Sequence, residues 1–150
     1  MTHRHQAREA ALKILYFCEV GGAAANDAIC AYFTEHAPEA VDTVRSFARE
    51  IVLGTLTDVP GLDALIVHHS QHWRLERLAV IDRLILRMAI WELQHDPDVP
   101  AAVVINEAIE LARTYSTDGS VAFVNGVLDA VRRELEETRA AQAQGPRTGE

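Results

Sequence analysis

Apolar residues recur along this chain at helical spacing, and no stretch shows the period of two expected of a half-buried strand. Ala7, Ala10, Ala11, Ile14, Leu15 and Cys18 follow i, i+3, i+4, i+7, i+8 and i+11, and Gly21-Gly22 should stop that first helix. Asn26 is expected to cap a second helix carrying Ile29, Tyr32 and Phe33, which ends near Pro38. A third is expected over about residues 41–57, with Val44, Ala48, Ile51, Val52 and Thr55 inward and Pro60 beyond its end. A shorter fourth covers 61–69 and turns Leu62, Leu65 and Ile66 inward.

The fifth segment, about 75–94, has Leu78, Ile81, Leu84, Ile85, Met88, Ala89 and Trp91. Its apolar arc is wider than one stripe, as befits a helix packed between neighbours. Pro97 and Pro100 separate it from a sixth helix, with Pro100 expected at its first position. Ser120 is the expected N-cap of the seventh, whose stripe is Val124, Val127, Leu128, Val131 and Leu135. From about residue 139 the chain turns Ala-, Gln-, Gly- and Pro-rich and loses its period. A domain over 1–138 and a disordered tail over 139–150 are therefore expected. Punctuation at 59–61 divides the helices into two packed helical subdomains within one compact domain. The expected fold class is all-α, with about seven helices.

Composition narrows the function. The 150 residues suffice to bury about 70% of the unfolded surface in one core. No apolar run approaches the ~20 residues of a membrane span. Glu9 and Lys13 interrupt any signal-like segment, so a cytoplasmic protein is expected. Cys18 and Cys30 lack metal or redox spacing and are expected to be buried reduced thiols. There is no phosphate-binding Gly loop, no GxSxG, no HExxH, and no cysteine with a motif-placed histidine. Neither catalysis nor a cofactor is expected. His68, His69 and His72 have metal-like spacing, but without an assured third ligand they read as a solvated or structural group near a helix end.

A net charge of −8 suits nucleic-acid binding poorly. Its distribution is uneven: Arg4, Arg8 and Lys13 against Glu9 give residues 1–15 a net +2. The leader His3-Arg4-His5-Gln6-Ala7-Arg8 is either a solvated terminus or an RNA arm. A second candidate lies at the start of the seventh helix, where Phe123 and Asn125 sit about 100° to either side of Val124. An exposed Phe123 could stack a base, Asn125 could bond a base edge or 2′-hydroxyl, and N–H groups of the helix start could take phosphate. The alternative packs Phe123 against a neighbouring helix. In helix six, Asn106, Glu110 and Arg113 share a polar face with Glu107 beside them, either as a solvated face or as an interhelical network.

Three blocks then carry a resemblance. The first is Ala7-Arg8-Glu9-Ala10-Ala11-Leu12-Lys13-Ile14-Leu15-Tyr16, and the second runs from Ile81-Asp82-Arg83 to Trp91-Glu92-Leu93. The third joins Val99-Pro100, Ile105-Asn106-Glu107-Ala108-Ile109-Glu110-Leu111-Ala112 and Phe123-Val124-Asn125-Gly126-Val127-Leu128-Asp129. In this order and separation they resemble the NusB family of transcription antitermination proteins over about residues 4–131. The resemblance implies two packed helical subdomains and no enzymatic activity. It implies binding of boxA, a single-stranded RNA element of ribosomal RNA leaders, together with the ribosomal small-subunit protein NusE, in a complex that helps RNA polymerase resist termination. By position it implies an RNA side of Arg4, Arg8, Asp118, Gly119, Ser120, Phe123 and Asn125, and a protein-partner side of Tyr16, Asp82 and Arg87. The leader is less basic than an arginine-dense arm, so partner assistance is expected. The alternative from another class is a helical protein–protein module, homodimeric in one form, without RNA function.

Overall fold

Thr2 opens the first helix by accepting the His5 N–H on its Oγ1 at 3.1 Å. The computed structural model describes residues 2–70 and 75–144. Helix α1 (His3–Gly21) ends at Gly22, whose φ of 71° is the left-handed cap that lets its N–H reach the Cys18 carbonyl. The basic leader is thus the first turns of a helix rather than a free arm. Helix α2 (Ala25–Glu35) starts one residue ahead of Asn26, which lies inside it and does not cap it. Asp27 supplies the negative charge that its first turn favours.

Helix α3 (Asp42–Thr57) buries all five of its expected inward residues. Asp58 then accepts the Gly61 N–H at 3.1 Å, so α4 (Val59–His69) starts with Pro60 in its first turn, ahead of the expected residue 61. Residues Leu75–Arg77 form a single 3-10 turn, and α5 (Val80–His95) begins only after it. Helix α6 (Ala101–Tyr115) takes Pro100 as its cap residue rather than its first helical one. Helix α7 (Asp118–Ala143) starts from Thr117, three residues before the expected Ser120 cap.

Helix α7 also corrects the expected tail: residues 139–143 are helical. The Arg139 guanidinium donates to the Leu93 carbonyl at 2.8 Å, tying this turn to the end of α5. Arg132 pairs with Glu136 one turn on.

Helices α1, α2 and α3 pack on one another, and α4, α6 and α7 gather around α5. Both α1 and α3 also lie on α5, so the two groups share one continuous core. The α3–α5 crossing is close because Gly54 faces Trp91, where an added Cβ would stand 2.2 Å from the indole. Cys18 is half-buried and Cys30 is exposed, so the expected burial of the thiols fails for Cys30, which lies on the outer side of α2. Both are free thiols. Among the described residues no single helix is long and apolar enough to cross a membrane.

Candidate nucleic-acid interface

The first turns of α1 lie against α6, α5 and α3, and their cations are already engaged. Arg8 is 3% exposed. Its Nε donates to Glu92 Oε1 at 2.9 Å, Nη2 donates to Glu92 Oε2, and Nη1 donates to Glu107 Oε1 at 3.2 Å. Burial opposes the charge of Arg8, but the hydrogen bond to Glu92 and the charges of Glu92, Glu107 and Asp96 outweigh it and push its pKa upward. His5 Nδ1 stands 2.8 Å from Glu107 Oε2, closing a network of two carboxylates, a guanidinium and an imidazole.

Arg4 is different. Its guanidinium lies 4.5 Å from the Phe47 ring centroid, and its contact with Asp96 is a long 3.5 Å. The side chain is 56% exposed. His3, Arg4, Thr43, Ser46 and Phe47 line an open groove of about 630 Å³ between α1 and α3, with Asp42 and Glu50. A cation beside an aromatic ring is a surface that a single strand can use for phosphate and base contacts.

The α6–α7 junction is built on one buried carboxylate. Asp82 accepts from Ser116 Oγ and from Ser120 Oγ, each at 2.6 Å, and Thr117 Oγ1 is 3.1 Å from Ser120 Oγ. Ser120 is buried and belongs to the first turn of α7, where it anchors the junction rather than caps the helix. Its N–H is taken by the Thr117 carbonyl at 3.0 Å. Asp118 adds a negative charge at the same end. One N–H of this helix start is therefore already engaged, and the Asp118 carboxylate beside it works against an anion there.

Asp118, Gly119 and Asn125 are exposed. Phe123 is half-buried and packs against the core, a position between the two expected readings. Between the two polar elements stands Tyr115, whose hydroxyl donates to Glu9 at 2.6 Å while Lys13 lies over its ring. Burial, then the Glu9 hydrogen bond and charge, push the Tyr115 phenol far above its ordinary range. Glu107 and Tyr115 are about 12 Å apart along α6, so that helix sets the spacing between the α1 groove and the junction.

A family model described as the NusB family matches residues 5–133. The chain belongs to the NusB family. The transcription antitermination protein NusB of Sorangium cellulosum is 42% identical over 137 residues, covering 90% of this chain and 95% of that protein. The protein of the same name from Bacillus velezensis is 41% identical and covers 89% and 98% respectively. A structure of T. maritima NusB matches with a TM-score of 0.79 at 34% identity, over 89% of this chain and 93% of that one. A chain in the crystal structure of antitermination factors NusB and NusE in complex with dsRNA matches with a TM-score of 0.81 at 23% identity, over 89% and 98%. That last likeness is one of fold.

Within this NusB-family fold, the three expected partner-side residues separate. Tyr16 is exposed and lines an apolar groove of about 570 Å³ with Leu12, Phe17, Tyr32, Ile81 and Tyr115. Asp82 is buried beneath the α6–α7 junction, where both of its oxygens are taken by serine hydroxyls of this chain. Arg87 is also buried: Asp63 receives its Nε and Nη2 at 2.7 and 2.9 Å, and Glu19 receives Nη1 at 2.9 Å. Those bonds join α5 to α4 and α1. Burial works against the charge of Arg87, but these bonds and charges prevail and raise its pKa.

Sequence reasoning missed Phe17, Phe47 and Glu92. Glu92 carried a readable signal, since a charge inside the wide apolar arc of α5 must find a buried partner. Phe17 and Phe47 lie off their helices' stripes and gave none. On α6 both readings hold, at different residues: Arg113 pairs with Glu110 and Asn106 is exposed on the outer face, while Glu107 turns into the interhelical network. His68 and His69 end α4; His72 lies outside the described residues.

Proposed function

We propose that this chain is a non-enzymatic RNA-binding adaptor of transcription antitermination. It binds boxA-type single-stranded RNA of ribosomal RNA leaders together with a NusE-type ribosomal protein, and in that complex helps RNA polymerase resist termination. The observation that carries this reading is family membership over residues 5–133, a span that takes in Arg8, Phe47 and the α6–α7 junction. The relatives' shared name and the fold likeness to a chain solved with NusE and RNA support it.

The division of labour follows from the site. Arg4 and Phe47 offer the strand one phosphate contact and one aromatic face, while Phe123 and Asn125 offer base contacts about two turns of α6 away. Arg8 supports this surface from below by holding Glu92 and Glu107. Few free cations on an acidic body give weak RNA binding by the chain alone, and a basic partner supplies the rest. The Tyr16 groove, with Phe17 and Val20 exposed around it, is the apolar surface for that protein.

Fluorescence anisotropy with a boxA-like oligonucleotide, with and without NusE, tests the reading. Sequence-selective binding that tightens with NusE is expected. With ~3–5 phosphate contacts in the complex, one from Arg4 and the others from the basic partner, the log–log salt slope should fall at about −2 to −3.5. Indifference to both RNA sequence and NusE would leave only the helical protein-interaction module. Truncation of residues 2–8 does not serve here, because Ala7 and Arg8 are buried and their loss would disturb the fold.

A further inference from the structure

We propose that His68, His69 and Glu134 form a zinc site that ties the last turn of α4 to the middle of α7. This inference goes beyond the RNA adaptor reading and does not rest on it. Three potential ligand atoms, one from each residue, lie within 4.8 Å of one another. His69 Nε2 is 2.9 Å from Glu134 Oε1, and His68 Nε2 is 3.9 Å from that same oxygen. The two imidazoles meet edge to face with centroids 4.7 Å apart.

A hydrogen bond from His69 would by itself satisfy that carboxylate oxygen. Nothing in that bond requires His68, whose side chain is 71% exposed, to turn its Nε2 toward the same atom. Convergence of two imidazole nitrogens and a carboxylate oxygen is the geometry of a divalent cation site. Tetrahedral zinc with bonds of about 2.0–2.1 Å places its ligand atoms roughly 3.3 Å apart. The two measured separations fall on either side of that value. The exposed His68 and the 38% exposed Glu134 side chains are free to close the remainder. Two nitrogens and one oxygen suit zinc better than magnesium or calcium, which favour oxygen alone. Water completes the fourth position.

Such an ion would cross-link helices 65 residues apart in sequence and pin α4 at its C-terminus, just ahead of the 3-10 turn. Because the ion binds the folded arrangement and not the open chain, it adds to stability as its concentration rises.

The experiment is calorimetric titration of the untagged, chelator-treated full chain with zinc chloride, followed by thermal melts with and without the metal. One equivalent should bind, with an increase in Tm that a chelator reverses. His68→Ala, His69→Ala and Glu134→Gln should each weaken binding at least ~10-fold, since loss of even a supporting contact costs that much. Cobalt should bind in its place with the visible absorption of a tetrahedral ion, and acidification should weaken both metals by proton competition. The decisive variant is His68→Ala, because so exposed a side chain leaves the fold intact. Unchanged zinc affinity in that variant, or no saturable binding by the parent chain, overturns the site and leaves an ordinary hydrogen-bonded cluster.

Discussion

The two polar elements set against each other on α6 solve opposite problems. At the start of α1 the polar side chains are drawn inward, where Glu92 and Glu107 hold Arg8 and Glu107 also meets His5, while the Arg4 guanidinium stays outside. At the α6–α7 junction a single inward carboxylate, Asp82, takes two hydroxyls and leaves the outer side chains without net positive charge. The first region is positioned by charge pairs in a low dielectric, the second by neutral donors on one buried anion. Removing Arg8 from the first strands a buried charge, whereas removing Asp82 from the second strands hydroxyls, which cost far less to leave unpaired. The α1 region should therefore dominate stability, and the junction should dominate recognition.

The sharpest break of that contrast is Arg8→Ala. Stripping the guanidinium leaves Glu92 buried without its partner, and the expected loss is about 3–5 kcal/mol of folding stability by denaturant titration. Replacing both members together, as Arg8→Met with Glu92→Leu, should recover most of that loss, because an apolar pair of similar volume needs no compensation. A small cost for Arg8→Ala alone would mean that the pair is hydrated and that the two regions do not differ as described.

Asp82→Ala comes next. Ser120 is buried and Ser116 half-buried, so both hydroxyls lose their carboxylate acceptor and keep only the contacts among Ser116, Thr117 and Ser120, at an expected cost of about 1–3 kcal/mol. Loosening the junction should also weaken RNA binding, although Asp82 itself is buried and cannot meet the strand. Asp82→Asn keeps an acceptor and should restore part of both quantities. A variant that loses stability while retaining full RNA affinity would separate the junction from recognition.

How legible these features were depended on what each residue faces. The five inward residues of α3 were readable because one stripe met one core, and the all-α class followed from the same periodicity. Helix starts were readable only in part. Ser120 has the chemistry of a cap, yet a buried carboxylate on α5 drew its hydroxyl inward and the helix began at Asp118. Asp82 and Arg87 sit in a family block, but neither spacing nor motif reveals that the partners are Ser116, Ser120, Asp63 and Glu19, from other helices. Arg8 looked like an arm cation because a single sequence shows its charge and not the two glutamates packed above it. The end of α7 escaped notice because Arg139 caps α5 across space, a contact with no periodic trace.

Phe123→Ala sharpens the recognition half. Half-buried against the core, Phe123 should contribute to both quantities. A stacked base predicts a loss of about 1–3 kcal/mol in RNA affinity, with a stability loss below the ~3–5 kcal/mol typical of a fully buried phenylalanine. A thermal melt beside the anisotropy titration reads both. A steep drop in Tm with unchanged affinity in the folded fraction would assign Phe123 to packing and move the RNA surface toward Arg4 and Phe47.

The smallest expected effect belongs to Arg4, the cation that the α1 network leaves outside. Its 3.5 Å contact with Asp96 is solvated and weak, so Arg4→Ala should alter stability by less than ~0.5 kcal/mol. Against RNA it should behave as one phosphate contact, making the salt slope about 0.7 less negative while leaving sequence preference unchanged. Arg4→Lys keeps the charge but stacks less well on the Phe47 ring, and should retain the slope with part of the affinity. Asn125→Ala makes the opposite test, since it should leave the slope alone and relax discrimination between related oligonucleotides. If instead both variants shifted the slope and neither touched selectivity, the junction would be a second electrostatic contact, and the contrast between the two ends of α6 would collapse.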